Sequence, residues 1–129
     1  MIGIDTNILV RFLVEDDPEQ ARDARKLIGE NYVCIPLVVL VETTWVLESA
    51  YGYSREDIAE TVREILVRDD TVVEKRAQAT KALELFSRYD LDYADAVIYV
   101  CGEELGSRDV YTFDEECLAT GLFKRPVGE

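Results

Sequence analysis

The chain has 129 residues, 48% apolar and 32% charged, enough for one folded, soluble domain with its own core and too apolar for a disordered segment. With 14 basic and 27 acidic side chains its formal net charge is -13, which argues against a broad basic face that grips nucleic acid by charge alone. Met1 to Ile4 is a short apolar run ending at Asp5, and Thr6 to Leu13 repeats apolar residues at helical spacing, so a strand feeding a helix is predicted. Pro18 suits the first turn of a second helix carrying Glu19 to Gly29. Tyr32-Val33-Cys34-Ile35 reads as a second strand, and Pro36 opens a helix over Leu37 to Ala50 that Gly52 ends. Apolar residues predominate in that helix and are spread round it, so burial around most of its circumference is predicted rather than along one stripe.

Ser54 followed three residues later by Asp57 is a cap signature for an amphipathic helix through Arg68, with Ile58, Val62, Ile65 and Leu66 inward. Thr71-Val72-Val73 reads as a strand, Ala77 to Tyr89 and Tyr93 to Leu105 as helices, and Gly106 as a stop. Val110 to Phe113 is predicted as a final strand, followed by a short helix through Ala119. Strands alternating with helices place the chain in the α/β class, as a single domain over residues 1–129 with a parallel sheet covered on both faces. Such sheets bind ligands just beyond the carboxyl ends of their strands.

Acidic residues recur at those ends. Asp5 follows the first predicted strand and Asp114 the last, and each would also serve as a helix N-cap. Asp92 is a candidate cap for the helix through Leu105, whereas Asp95, flanked by Ala94 and Ala96 with Ile98 and Tyr99 a turn onward, is expected to point inward. Glu42 is the most informative, because it lies mid-helix with Val38, Val39, Trp45 and Val46 at spacings three and four. At least partial burial is predicted for it. An unpaired buried carboxylate costs several kcal/mol, so Glu42 calls for a cation, either a distant arginine such as Arg11 or a metal ion.

Four converging carboxylates at Asp5, Glu42, Asp95 and Asp114 would repel one another and raise their pKa values unless one or two divalent ions sat among them. Oxygen ligands suit Mg²⁺ or Mn²⁺, whereas zinc normally recruits His or Cys, and the chain has no histidine. Lack of imidazole also disfavours a nuclease that uses the RNA 2′-hydroxyl, leaving metal-activated water as the economical route to phosphodiester hydrolysis.

Four segments in order, Ile4-Asp5-Thr6-Asn7-Ile8-Leu9-Val10-Arg11 with Asp16-Asp17-Pro18-Glu19-Gln20, Val41-Glu42, Asp92-Tyr93-Ala94-Asp95-Ala96 and Thr112-Phe113-Asp114, resemble the PIN-domain ribonucleases and, among them, the VapC toxins of type II toxin–antitoxin pairs. The resemblance spans essentially the whole chain and rests on the ordered combination. It implies a three-layer α/β/α sandwich in which Asp5, Glu42, Asp95 and Asp114 line the metal site, Thr6, Asn7 and Thr112 support it, and Asp92 is either a further ligand or a helix cap. It also implies an RNA substrate, a homodimer, and a small antitoxin whose tail enters the acidic groove.

RNA is a polyanion, so at net charge -13 bound metal and local cations must compensate; Arg11, Lys75, Arg76 and Arg108 are candidate phosphate contacts. Two rivals stay open: a phospho-receiver-like Mg²⁺-binding signalling domain, and a PIN-like module that binds RNA or a partner without cutting. The receiver lacks its lysine before proline, since Lys124 is followed by Arg125. Cys34, Cys101 and Cys117 are far apart and odd in number, reading as buried thiols of a reducing cytoplasm. No basic leader with a clean apolar run opens the chain, and its longest uncharged stretch, Asn31 to Val41, is too short for the roughly 20 residues of a membrane span.

Overall fold

The computed structural model describes residues 1–127, in two compact units, Met1–Arg76 and the chain from Ala77 onward. The first unit holds β1 (Ile2–Gly3), α1 (Thr6–Leu13), α2 (Pro18–Gly29), β2 (Val33–Ile35), α3 (Leu37–Tyr51), α4 (Arg55–Val67) and β3 (Thr71–Val73). Its three strands form a parallel sheet in the order β1-β2-β3, with Ile2 opposite Val33 and Val33 opposite Thr71. Parallel pairing is possible because helices return the chain between successive strands. Val33, Ile35, Thr71 and Val73 bury one side of the sheet, while Val72 between them is exposed.

Local chemistry sets the helix ends. The Asp17 carboxylate accepts from the Gln20 amide at 3.1 Å and Pro18 takes the first turn of α2. Ser54 and Asp57 exchange side-chain-to-backbone bonds at 3.1 and 3.2 Å, the predicted reciprocal cap of α4. Gly52 closes α3 at φ 66°, a left-handed conformation that costs glycine nothing.

The orientation of α3 corrects the expectation of near-complete burial. Val39, Leu40, Thr43, Thr44 and Leu47 face the core, but Val38 is 69% and Trp45 68% exposed, and Glu42 stands exposed between them. Spacings of four and three put Val38, Glu42 and Trp45 on one helix face. Since apolar residues line both faces, no hydrophobic periodicity marked which side would be covered, and the two buried threonines were disguised among them. The Thr44 hydroxyl donates to the Val41 carbonyl at 2.7 Å, satisfying itself within the helix.

The second unit holds α5 (Arg76–Arg88) from its second residue onward, α6 (Tyr93–Glu104) and α7 (Glu115–Ala119). Ala79, Ala82, Leu83, Phe86, Tyr93, Ala96, Val97, Val100, Cys117 and Phe123 are buried. The Phe86 and Tyr93 rings meet edge to face at 6.2 Å, and the Tyr93 hydroxyl donates to the Ala79 carbonyl at 2.8 Å. The predicted strand over Val110 to Phe113 is not formed. Tyr111 makes one isolated parallel bridge with Lys124, carried by Thr112 N–H to Lys124 O and Lys124 N–H to Val110 O, both at 2.9 Å. Tyr111 and Phe113 are exposed, so the alternation of β-prone residues here has no buried face to reward it. Among the described residues no helix is long and apolar enough to cross a membrane.

Candidate functional site

In the first unit the chain brings the start of α1 against Glu42 of α3. Asp5 caps α1, its Oδ1 accepting from the Ile8 amide at 3.0 Å, and its carboxylate is exposed just beyond β1. Thr6, the first helical residue, donates its hydroxyl to Glu42 Oε1. The expectation that Glu42 is at least partly buried is therefore corrected: it is exposed, held by a hydroxyl rather than by an arginine. Asn7 is exposed on the same first turn of α1.

Arg11, read from sequence both as a partner for Glu42 and as a phosphate contact, is engaged elsewhere. It pairs with Asp16 at 2.8 Å, donates through Nε to Gln20 Oε1 at 2.7 Å and through NH1 to the Tyr51 hydroxyl at 3.1 Å. The Tyr51 hydroxyl bond and the guanidinium charge together hold the Asp16 carboxyl below its ordinary range. Arg76 donates to the Thr71 carbonyl at 2.5 Å and Arg108 pairs with Asp109 at 3.0 Å. Asp16 and Gln20 lie close to Arg11 along the chain, but Tyr51 is forty residues away with no local signal.

In the second unit Asp114 caps α7, its Oδ1 accepting from the Cys117 amide at 3.0 Å, while the Thr112 hydroxyl accepts from the Asp114 amide at 3.0 Å. Asp92 occupies the cap position read for it at the start of α6, without a side-chain cap bond. Asp95, half-buried in the first turn of α6, has its carboxyl raised above the ordinary range by burial; the Cys117 thiol opposes this, and the charges of Asp92 and Asp114 add to it. Burial, with the Asp95 and Asp114 carboxylates beside it, pushes the Cys117 thiol up to about 12. Sequence reading treated Cys117 only as a buried thiol, and nothing local marked its place beside these acids.

Among the described residues no group of three or more Asp, Glu or Cys side chains is assembled as a metal-binding cluster. Oxygen donors of this kind suit a hard divalent cation: within the first unit Asp5 and Glu42, and within the second Asp114, each have one carboxylate oxygen anchored by the chain, leaving the other outside that bond. The electrostatic burden on Asp95 is of the kind a cation relieves.

A model of the PIN domain family matches residues 2–121. The chain belongs to the PIN domain family. Its parallel sheet and helical connections are the α/β frame of that fold, and the match takes in Asp5, Glu42, Asp95 and Asp114. A VapC ribonuclease of Aquifex aeolicus (strain VF5) is 29% identical over 115 residues, which cover 85% of this PIN domain chain and 84% of the relative. A crystal structure of the VapC20 sarcin–ricin loop cleaving toxin of Mycobacterium tuberculosis is 23% identical, covering 98% of this chain and 100% of that one, with a TM-score of 0.46.

Proposed function

We propose that this PIN domain is a divalent-metal-dependent endoribonuclease, the toxin of a toxin–antitoxin pair, that hydrolyses RNA phosphodiester bonds with activated water. The likeness to a VapC ribonuclease along most of both chains carries this reading. Asp5, Glu42, Asp95 and Asp114 are the carboxylates that would hold one or two Mg²⁺ or Mn²⁺ ions, which supply water activation and charge neutralisation at the phosphate.

The chain's own contribution is to aim those oxygens. The Ile8 amide orients Asp5, the Thr6 hydroxyl orients Glu42, and the Cys117 amide orients Asp114, itself steadied by Thr112. Burial and neighbouring carboxylates disfavour ionisation of Asp95, a cost that a divalent cation offsets. At net charge -13 RNA is met locally rather than by a basic face, and so acidic a chain suits a small antitoxin with a basic tail. A homodimer and a cytoplasmic location belong to the same reading.

Purified protein incubated with RNA should cut it in Mg²⁺ or Mn²⁺ and stop in excess EDTA. Asp5→Asn and Glu42→Gln should each abolish cleavage while the protein stays folded. Persistent cleavage in either variant would sink the site, and cleavage of DNA but not RNA would sink the substrate.

A further inference from the structure

We infer that Arg11, Asp16 and Tyr51 form a positioning strut that sets the register of α1 against α3, and through it the placing of Asp5 and Glu42; this rests on the nuclease reading above. The three groups form a closed ring. Arg11 NH1 donates to Asp16 Oδ1 at 2.8 Å and to the Tyr51 hydroxyl at 3.1 Å, and that hydroxyl donates to Asp16 Oδ2 at 2.7 Å. Each member therefore contacts both others, unlike an isolated surface ion pair, which water readily replaces.

The ring's place in the fold gives it its role. Arg11 lies in the last turn of α1, and Tyr51 is the final residue of α3, nine positions after Glu42. At 1.5 Å per residue these points lie about 8 Å along α1 from Thr6 and about 13 Å along α3 from Glu42. Thr6 and Glu42 tie the same two helices at a second level, from the start of α1 to the middle of α3. One polar tie lets a helix rock about the contact, whereas two ties at separate levels restrain slide and tilt together. Gln20 adds α2 to the junction through the remaining edge of the guanidinium, at 2.7 Å from Nε.

The side-chain chemistry matches that task. A planar guanidinium directs several donors at once, which a lysine ammonium on a flexible stem does not reproduce. Apolar burial of Leu9 and Val10 holds α1 down by a non-directional force, to which the hydrogen bonds of the ring add direction. Carboxylates that must share a cation need a set register, because small misplacements of reacting groups cost large factors in rate.

Tyr51→Phe keeps the ring and removes both hydroxyl bonds, and Arg11→Lys keeps the charge and removes the fork. Tyr51→Phe should lower kcat on RNA about tenfold with KM within about twofold of wild type. In the absence of RNA it should weaken Mn²⁺ binding, followed by electron paramagnetic resonance titration, about fivefold, and speed amide exchange at Leu9 and Val10. A ring that merely stabilises the fold would lower Tm alone, so unchanged kcat and Mn²⁺ affinity in a variant of reduced Tm would overturn the strut. Should Tyr51→Phe fail to fold, Arg11→Lys and Asp16→Asn carry the same readouts. A wild-type chain that neither binds Mn²⁺ nor cuts RNA would remove the nuclease reading. Amide exchange would then decide the strut alone: faster exchange in Tyr51→Phe retains the register role, and unchanged exchange ends it.

Discussion

Leu40→Ala and Val38→Ala, made in separate chains, test which face of α3 is buried and hence why Glu42 stands in solvent. Leu40 is 0% exposed. Removing three carbons loses about 2.4 kcal/mol of transfer free energy at roughly 0.8 kcal/mol per methylene. A residual cavity raises the total to about 3–4 kcal/mol, against which alanine's helix propensity returns only a few tenths. Val38, two positions earlier, is 69% exposed, so its truncation loses little burial and gains about 0.5 kcal/mol of helix propensity. The net expectation for Val38→Ala is a change within about 0.5 kcal/mol. Urea unfolding followed by far-UV circular dichroism reads both, with an unchanged m-value confirming a comparable transition. At roughly 3–5 °C per kcal/mol, Leu40→Ala should also lose about 10 °C or more in Tm. Equal losses from the two substitutions would refute the assigned orientation and return Glu42 to a covered face.

Asp95→Asn should stabilise the metal-free protein at neutral pH while abolishing cleavage. Because the folded carboxyl is raised, by burial first and by Asp92 and Asp114 in addition, its contribution is full below the unfolded carboxyl range and is lost as pH rises through the raised value. Urea midpoints in EDTA should therefore separate variant from wild type at pH 7 and converge near the pH where carboxyls protonate; a gap that instead widens in acid contradicts the assignment. Cys117, buried and with its thiol pushed up to about 12, should resist iodoacetamide in the folded chain while the half-buried Cys34 and Cys101 react first. Peptide mass mapping would show early Cys117 labelling if that is wrong. Gly52→Ala should cost about 1 kcal/mol, since φ is 66° and nothing crowds the new Cβ, so that backbone strain is the whole effect. Calorimetry showing no loss of Tm would remove the left-handed cap.

Sequence by itself determined what depends on neighbours along the chain. Ser54 with Asp57, Asp17 with Pro18, and Asp5 and Asp114 before their helices are local hydrogen-bonding arrangements, and each forms the cap its spacing called for. The order of helices, the three parallel strands and the motifs shared with PIN domains were legible for the same reason, since periodicity and residue type carry them. Tertiary structure alone decided which side of the evenly apolar α3 meets the core, and so left Glu42 exposed where burial had been expected. It also decided that Val110 to Phe113 makes one bridge instead of a strand, that Asp92 makes no side-chain cap bond, and that Arg11 turns to Asp16 and Tyr51 rather than to Glu42. A face, a pairing partner and a hydrogen bond across forty residues are set by what other segments leave uncovered, and no window along the chain holds that information.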